Sequence, residues 1–276
     1  MPLFRPSELH AFLQSIGAKP KRTLSQNFLV DGNVVQKIVR ASTDSSHPLI
    51  VEIGSGPGVL TEAFLAKGLR VIAIEKDEKL ASHLYRLDPT KKQLKVEAKD
   101  ILSCSLSSFV GGERDVALVS NLPYHLTTPI LEWLVESRDS FSRALIMMQD
   151  EVAKKLLPTH RPSSYMQVVL SLFFDLSYLF RVSKNCFYPA PKVDSAVLLL
   201  NARESPIQEK KRQEAFLAFV ASAFLHKRKM LRNSLSENVP KRELERVLSP
   251  FGANVRPEEI RYEEWVELFC ALEKEL

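Results

Sequence analysis

The run Val-Glu-Ile-Gly-Ser-Gly-Pro-Gly at 51–58 joins a strand-like apolar stretch to a helical one. Glycines in such a turn let the backbone bend tightly and lie against a ligand. The spacing is Gly54, Gly56, Gly58, and Val59 stands where the third glycine of a dinucleotide fingerprint would fall. A pyrophosphate cradle is therefore not expected. Glu75 closes the next strand, 21 residues after Gly54. A carboxylate there can accept both hydroxyls of a ribose. Asp100 closes a third strand, where it could accept from an exocyclic adenine amine, and Ile101 beside it could pack on the purine face.

Either acid alone would be an ordinary strand-end carboxylate. The glycine turn and the two acids, in register at successive strand ends, together describe a pocket for an adenosine-bearing ligand without a pyrophosphate. S-adenosylmethionine fits that description. A fourth strand then ends in Asn-Leu-Pro-Tyr at 121–124. The Asn121 amide oxygen and the Leu122 carbonyl are two acceptors that can grip both hydrogens of an exocyclic NH2. Pro123 stiffens the loop, and Tyr124 offers a flat face to a base. Such an amine is a poor nucleophile, because its lone pair is delocalised into the ring. Accepting both N–H bonds favours a pyramidal nitrogen and frees the lone pair, so the chemistry is positioning and electrostatics and needs no strong base. Standing alone, the tetrapeptide could equally be an ordinary turn with Asn and Pro.

These residues need a scaffold of strand ends. Apolar runs at 48–54, 70–75, 93–100, 115–124 and 143–149 alternate with helical patterns, which indicates a doubly wound, mainly parallel sheet. Asp31 is placed to cap a helix that follows it. Residues 164–176 read as a helix, and 176–183 and 192–201 as two late strands without a crossover helix, an antiparallel pair at the sheet edge. From 204 onward the pattern is helical, with Phe216, Phe219, Phe224, Leu225 and Leu231 as the buried stripe, and Pro206 marks the boundary. The division expected is 1–203 and 204–276, with residues 1–45 as an arm.

The 276 residues are 45% hydrophobic and 26% charged, which excludes wholesale disorder and fibrous repeats. Three scattered cysteines suit a reducing compartment and speak against structural zinc. No segment reads as a membrane span or a signal peptide. The formal charge is +5, and residues 1–40 carry six Lys/Arg against two acids. That arm and the cluster His-Lys-Arg-Lys-Met-Leu-Arg at 226–232 suggest a polyanionic partner, although a charge run is more often a solvated face.

Four more motifs complete the pattern: Ser-Gln-Asn-Phe-Leu (25–29), Ile-Glu-Lys-Asp (74–77), Phe-Tyr-Pro-Ala-Pro-Lys-Val-Asp-Ser-Ala-Val (187–197) and Arg-Lys-Met-Leu-Arg-Asn-Ser-Leu (228–235). With them, nearly the whole chain resembles the rRNA adenine N6-dimethyltransferases. The last two motifs are the more family-specific. The resemblance implies a class I S-adenosylmethionine-dependent methyltransferase, an α/β Rossmann-like fold with a seven-stranded mixed sheet and a small all-helical C-terminal domain. It implies that Asn27 and Leu29 close over the cofactor, Gly54 contacts its methionine part, Glu75 its ribose and Asp100 its adenine amine, with Gly56, Lys76, Ile101 and Asn121 as further cofactor contacts. Asn121, Leu122, Pro123 and Tyr124 would then form the catalytic loop, with Phe187 stacking on the target adenine opposite Tyr124. Two aromatics on proline-stiffened loops also suit a flipped-out base on their own account, or else simple loop packing.

Lys19, Lys21, Arg22, Lys192, Lys227, Arg228, Lys229 and Arg232 are the candidate RNA contacts. Lys192 could equally be an exposed strand-end lysine. The substrate implied is a pair of adjacent adenines in the hairpin near the 3′ end of 16S rRNA, in the 30S subunit or its precursor. S-adenosylhomocysteine would be the product, with no metal, by a cytoplasmic monomer. The alternatives are a 23S rRNA dimethylase of the macrolide-resistance type and a non-catalytic assembly factor on the same scaffold. Asp194 and the Arg-Asn-Ser-Leu tail favour the small-subunit type, which tends to carry Asp where the resistance type carries Asn. A nicotinamide dehydrogenase is disfavoured by the glycine spacing. His125 has no role in this reading.

Overall fold

The computed structural model describes residues 3–43, 48–225, 229–236, 239–252 and 254–274. Among the described residues there are nine strands: β1 (Phe28–Leu29), β2 (Leu49–Ile53), β3 (Val71–Ile74), β4 (Leu94–Glu97), β5 (Val116–Asn121), β6 (Arg143–Gln149), β7 (Phe174–Val182), β8 (Phe187–Tyr188) and β9 (Ser195–Ala202). Seven of them form one sheet in the order β4-β3-β2-β5-β6-β9-β7. β2 pairs in parallel with β3 and β5, β3 with β4, and β5 with β6, while β9 runs antiparallel to β6. The chain leaves β2 toward one edge and returns to β5 on its other side. That reversal makes a crevice at the carboxyl ends of β2 and β5, the place where open α/β sheets bind ligands.

The sequence accounts for this placement. Leu-Ile-Val-Glu-Ile of β2 is buried along its whole length, as a central parallel strand covered on both faces should be. The helices are α1 (Pro6–Ser15), α2 (Gly32–Ser42), α3 (Val59–Leu65), α4 (Glu78–Leu84), α5 (Ser107–Val110), α6 (Thr127–Glu136), α7 (Asp150–Leu156), α8 (Tyr165–Phe173), α9 (Lys210–Phe224), α10 (Leu231–Leu235), α11 (Lys241–Leu248) and α12 (Tyr262–Leu272). Asp31 caps α2 as expected, its Oδ1 accepting from the Asn33 and Val34 amides at 2.9 and 3.0 Å. α8 opens on a capping box between Ser164 and Gln167 and passes directly into β7.

The chain divides into two compact units, 1–153 with 177–202, and 154–176 with 203–276. This differs from a single cut at 203. α8 presents an almost wholly buried apolar surface and packs on α9 and α12, so it belongs with the helical unit. In that unit Phe216, Phe219, Trp265 and Phe269 form an interlocking aromatic core. Phe216, Phe219 and Leu231 are buried there, but Leu225 is 75% exposed, because α9 ends at Phe224 and Leu225 leaves the expected stripe. Among the described residues, no helix is long and apolar enough to cross a membrane.

Candidate active site

The crevice holds a cavity of about 230 Å³ whose walls come from the loops after β2, β3, β4 and β5 and from residues 23–28 of the arm. Gly54 adopts φ +73°, and a Cβ there would meet open space, so the glycine leaves a cradle that a side chain would fill. Gly56 is constrained from two sides. Its φ is +53°, and a Cβ would come within 3.1 Å of the Phe28 ring.

Glu75 is buried at the end of β3. Its Oε2 accepts from the Gly56 amide at 2.7 Å and its Oε1 from the Asp77 amide at 2.8 Å. Burial pushes its pKa up, and these backbone bonds partly counter that. Each oxygen keeps a lone pair for a hydroxyl. Asp100 accepts from the Leu102 amide at 3.1 Å and pairs with Lys76 Nζ at 2.7 Å, which draws its pKa down. Lys76 therefore lines the cavity as the partner of Asp100. Ile101 lines the same wall and is buried.

The loop after β5 supplies the acceptors. Asn121 Nδ2 donates to the Asn27 carbonyl at 2.9 Å, which leaves Oδ1 as the acceptor. The Leu122 amide donates to the Met147 carbonyl at 2.9 Å and fixes the peptide next to it. The Tyr124 hydroxyl and Ser195 Oγ share a hydrogen bond of 2.8 Å, which holds the ring, and burial raises the phenol pKa. His125 Nδ1 and Ser25 Oγ are hydrogen-bonded at 2.9 Å, a tie between arm and loop that sequence reasoning missed.

A second cleft of about 1200 Å³ shares Ser25, Gln26, Asn27 and Tyr124 with the first and continues past Lys19, Arg22, Tyr188 and Lys192. A cavity lined by strand-end carboxylates and an asparagine acceptor, sharing Tyr124 with a wide basic cleft, suits methyl transfer to a base in a nucleic acid.

Comparison with known proteins decides the family. The model of the family described as "Ribosomal RNA adenine dimethylase" matches residues 17–274. The chain belongs to the ribosomal RNA adenine dimethylase family. Among its relatives, the Ribosomal RNA small subunit methyltransferase A of Protochlamydia amoebophila is 42% identical across 99% of this chain and 98% of its own length. That of Chlamydia trachomatis serovar D is 37% identical, with 96% of each chain covered. The crystal structure of the 23S rRNA methyltransferase ErmE superposes with a TM-score of 0.74 at 26% identity, covering 90% of this chain and all of that one. A Plasmodium falciparum dimethyladenosine transferase gives the same TM-score at 22% identity over 90% and 98% of the two chains, a likeness of fold.

Three residues of this dimethylase chain differ from their expected placement. Leu29 and Phe187 face each other across the β1–β8 pair, are 3% and 4% exposed, and belong to the apolar core; neither lines the two cavities. Strand alternation explains it. With Phe187 turned inward, its neighbour Tyr188 is the aromatic that reaches the second cleft. Lys21 spends its ammonium on the nearly buried Asp77, at 2.8 Å, with Gln26 on the same carboxylate at 3.3 Å. Burial would raise the Asp77 pKa, but these bonds outweigh it and the net shift is downward. Lys21 thus fastens the arm and is not placed as a free phosphate contact. Lys229 and Arg232 are exposed, while Lys227 and Arg228 lie outside the described residues.

Proposed function

We propose that this dimethylase acts on two adjacent adenines in the hairpin near the 3′ end of 16S rRNA, within the 30S subunit or its precursor, as a cytoplasmic monomer. S-adenosylmethionine would be the methyl donor and S-adenosylhomocysteine the product. The observation that carries the reading is the amide of Asn121, whose nitrogen is engaged by Asn27 so that its oxygen is the acceptor beside the cavity. The cavity fits the donor: the open cradle at Gly54 admits its amino-acid end, Glu75 can take its ribose hydroxyls, and Asp100 and Ile101 can take its adenine. When bound, it supplies an electrophilic methyl on a sulfonium.

The chain's own residues then have defined tasks. Asn121 Oδ1 and the Leu122 carbonyl accept the two N–H bonds of the target amine and favour its pyramidal form. Tyr124, held by Ser195, supports the ring of the base. After one methylation a single N–H remains, so one of the two acceptors suffices for the second round. No strong base is required: once the lone pair has been used the methylated nitrogen is acidic, and its proton passes to solvent.

The small-subunit assignment rests on full-length relatives of that name and on Asp194. Its carboxylate accepts from the Lys184 amide at 2.8 Å and pairs with Arg181, which an asparagine could not do as an anion. The likeness to a 23S rRNA enzyme keeps a large-subunit reading as the second one. Incubation with labelled S-adenosylmethionine and unmodified 30S and 50S subunits in parallel separates them. Label in 30S alone supports the proposal, and label in 50S alone supports the second reading.

A further inference from the structure

The second cleft is larger than a single flipped base requires. At about 1200 Å³ it exceeds the roughly 300–1,000 Å³ that pockets for drug-sized ligands occupy. Tyr124 stands where it meets the cofactor cavity, and Tyr188 is a second aromatic on its wall. The two tyrosines differ. Tyr124 is pinned through its hydroxyl to Ser195. Tyr188 packs edge-on against His10, with ring centroids 6.3 Å apart at 85°, and lies half-buried over the apolar cluster of Leu9, Leu13 and Phe28. Its backbone is fixed by pairing with Phe28. The ring is thus held from behind by packing. Around it the same cleft carries Lys19, Arg22 and Lys192, all exposed, and the amide of Gln149. A flat ring, an amide that can reach a base edge and cations at phosphate-contact positions are the parts of a nucleotide subsite.

We propose that Tyr188 and His10 form a stacking platform for the nucleotide adjoining the target adenine, so that the cleft holds two consecutive nucleotides of the unstacked strand. The inference rests on the proposed methylation of paired adenines. When one adenine of the pair is at Asn121, the other is an adjoining nucleotide, and the platform keeps it in the cleft. The strand can then advance or retreat by one position without leaving. Phe187, whose ring is in the core, takes no part in this subsite.

The test uses 30S subunits reconstituted with 16S rRNA ligated to a synthetic 3′ segment, intact or with an abasic site on the 5′ or the 3′ side of the target. Tyr188→Leu keeps an apolar group over the cluster but removes the stacking face. Tyr188→Phe keeps the face. Stacking on an aromatic should make Tyr188→Leu raise KM for intact 30S about tenfold, with S-adenosylmethionine affinity unchanged and Tyr188→Phe close to the parent. The abasic site on one side should raise KM for the parent enzyme, and Tyr188→Leu should then add little, since the two changes remove one interaction. Equal KM for parent and Tyr188→Leu, or effects that multiply independently at both abasic positions, overturns the subsite. Absence of methylation by the parent enzyme on intact 30S is a different failure, that of the underlying function.

Discussion

Asn121 Nδ2 donates to the backbone carbonyl of Asn27 at 2.9 Å. The asparagine proposed as catalytic is thereby oriented by the arm that lines the cavity, so the placement of the arm and the aim of the acceptor are coupled. Asn121→Ala removes acceptor and tie together. Methyl transfer should fall about 10²- to 10³-fold, as for loss of one preorganised hydrogen-bonding group. RNA affinity should stay nearly intact. Single-turnover rates beside filter binding check this, and an equal loss of RNA affinity would remove Asn121 from the chemistry.

Lys21 and Arg22 are adjacent and should behave differently. Lys21 is paired with Asp77, whereas Arg22 is exposed on the wide cleft. Lys21→Ala should loosen the arm and weaken S-adenosylmethionine binding severalfold, with little change in the salt dependence of RNA binding. Arg22→Ala should leave cofactor binding alone and flatten the salt dependence by somewhat under one unit of slope. Calorimetry with the cofactor and RNA titrations at several salt concentrations distinguish them.

The exposed pair Lys229 and Arg232 extends the same logic to the helical unit. Replacing both with alanine should weaken 30S binding and reduce the salt slope by about one to two units, while single-turnover methylation at saturating 30S stays near the parent rate. An unchanged slope would make them a solvated surface.

Glu52 gives a stability prediction. It lies buried in β2, and burial pushes its pKa up to about 8, against a hydrogen bond from Thr61 of 2.5 Å. The folded chain therefore binds a proton that the unfolded chain releases in the ordinary carboxyl range. Stability falls as pH rises from that range to about 8 and is then level for this group. Glu75 shifts in the same direction and adds to the slope. Glu52→Gln should be more stable than the parent at pH 9 and should lose much of the decline between pH 6 and 9 in denaturant titrations. A parent curve that rises over that interval would contradict the burial of a neutral Glu52.

What could be read from the sequence was local to strand ends. The glycine turn, Glu75, Asp100 and Asn-Leu-Pro-Tyr each follow directly from a strand whose apolar run is visible, and the sheet order then brings them together. Phe187 and Tyr188 could not be told apart in that way. Which one faces the cleft depends on pairing with Phe28 and Leu29, far away in the chain. The fate of Lys21 likewise depends on Asp77, and that of His125 on Ser25. The helix at 165–173 was recognisable by its pattern, but its allegiance to the second unit rests on contacts with α9 and α12.

The most direct test maps the product. Unmodified 30S subunits are methylated to completion, the 16S rRNA is cut with nucleases, and the fragments are weighed. N6,N6-dimethyladenosine is expected at two adjacent adenines near the 3′ end and nowhere else in the RNA. Methyl groups only in 50S-derived RNA, or none in either subunit by a protein that still binds S-adenosylmethionine, would contradict it.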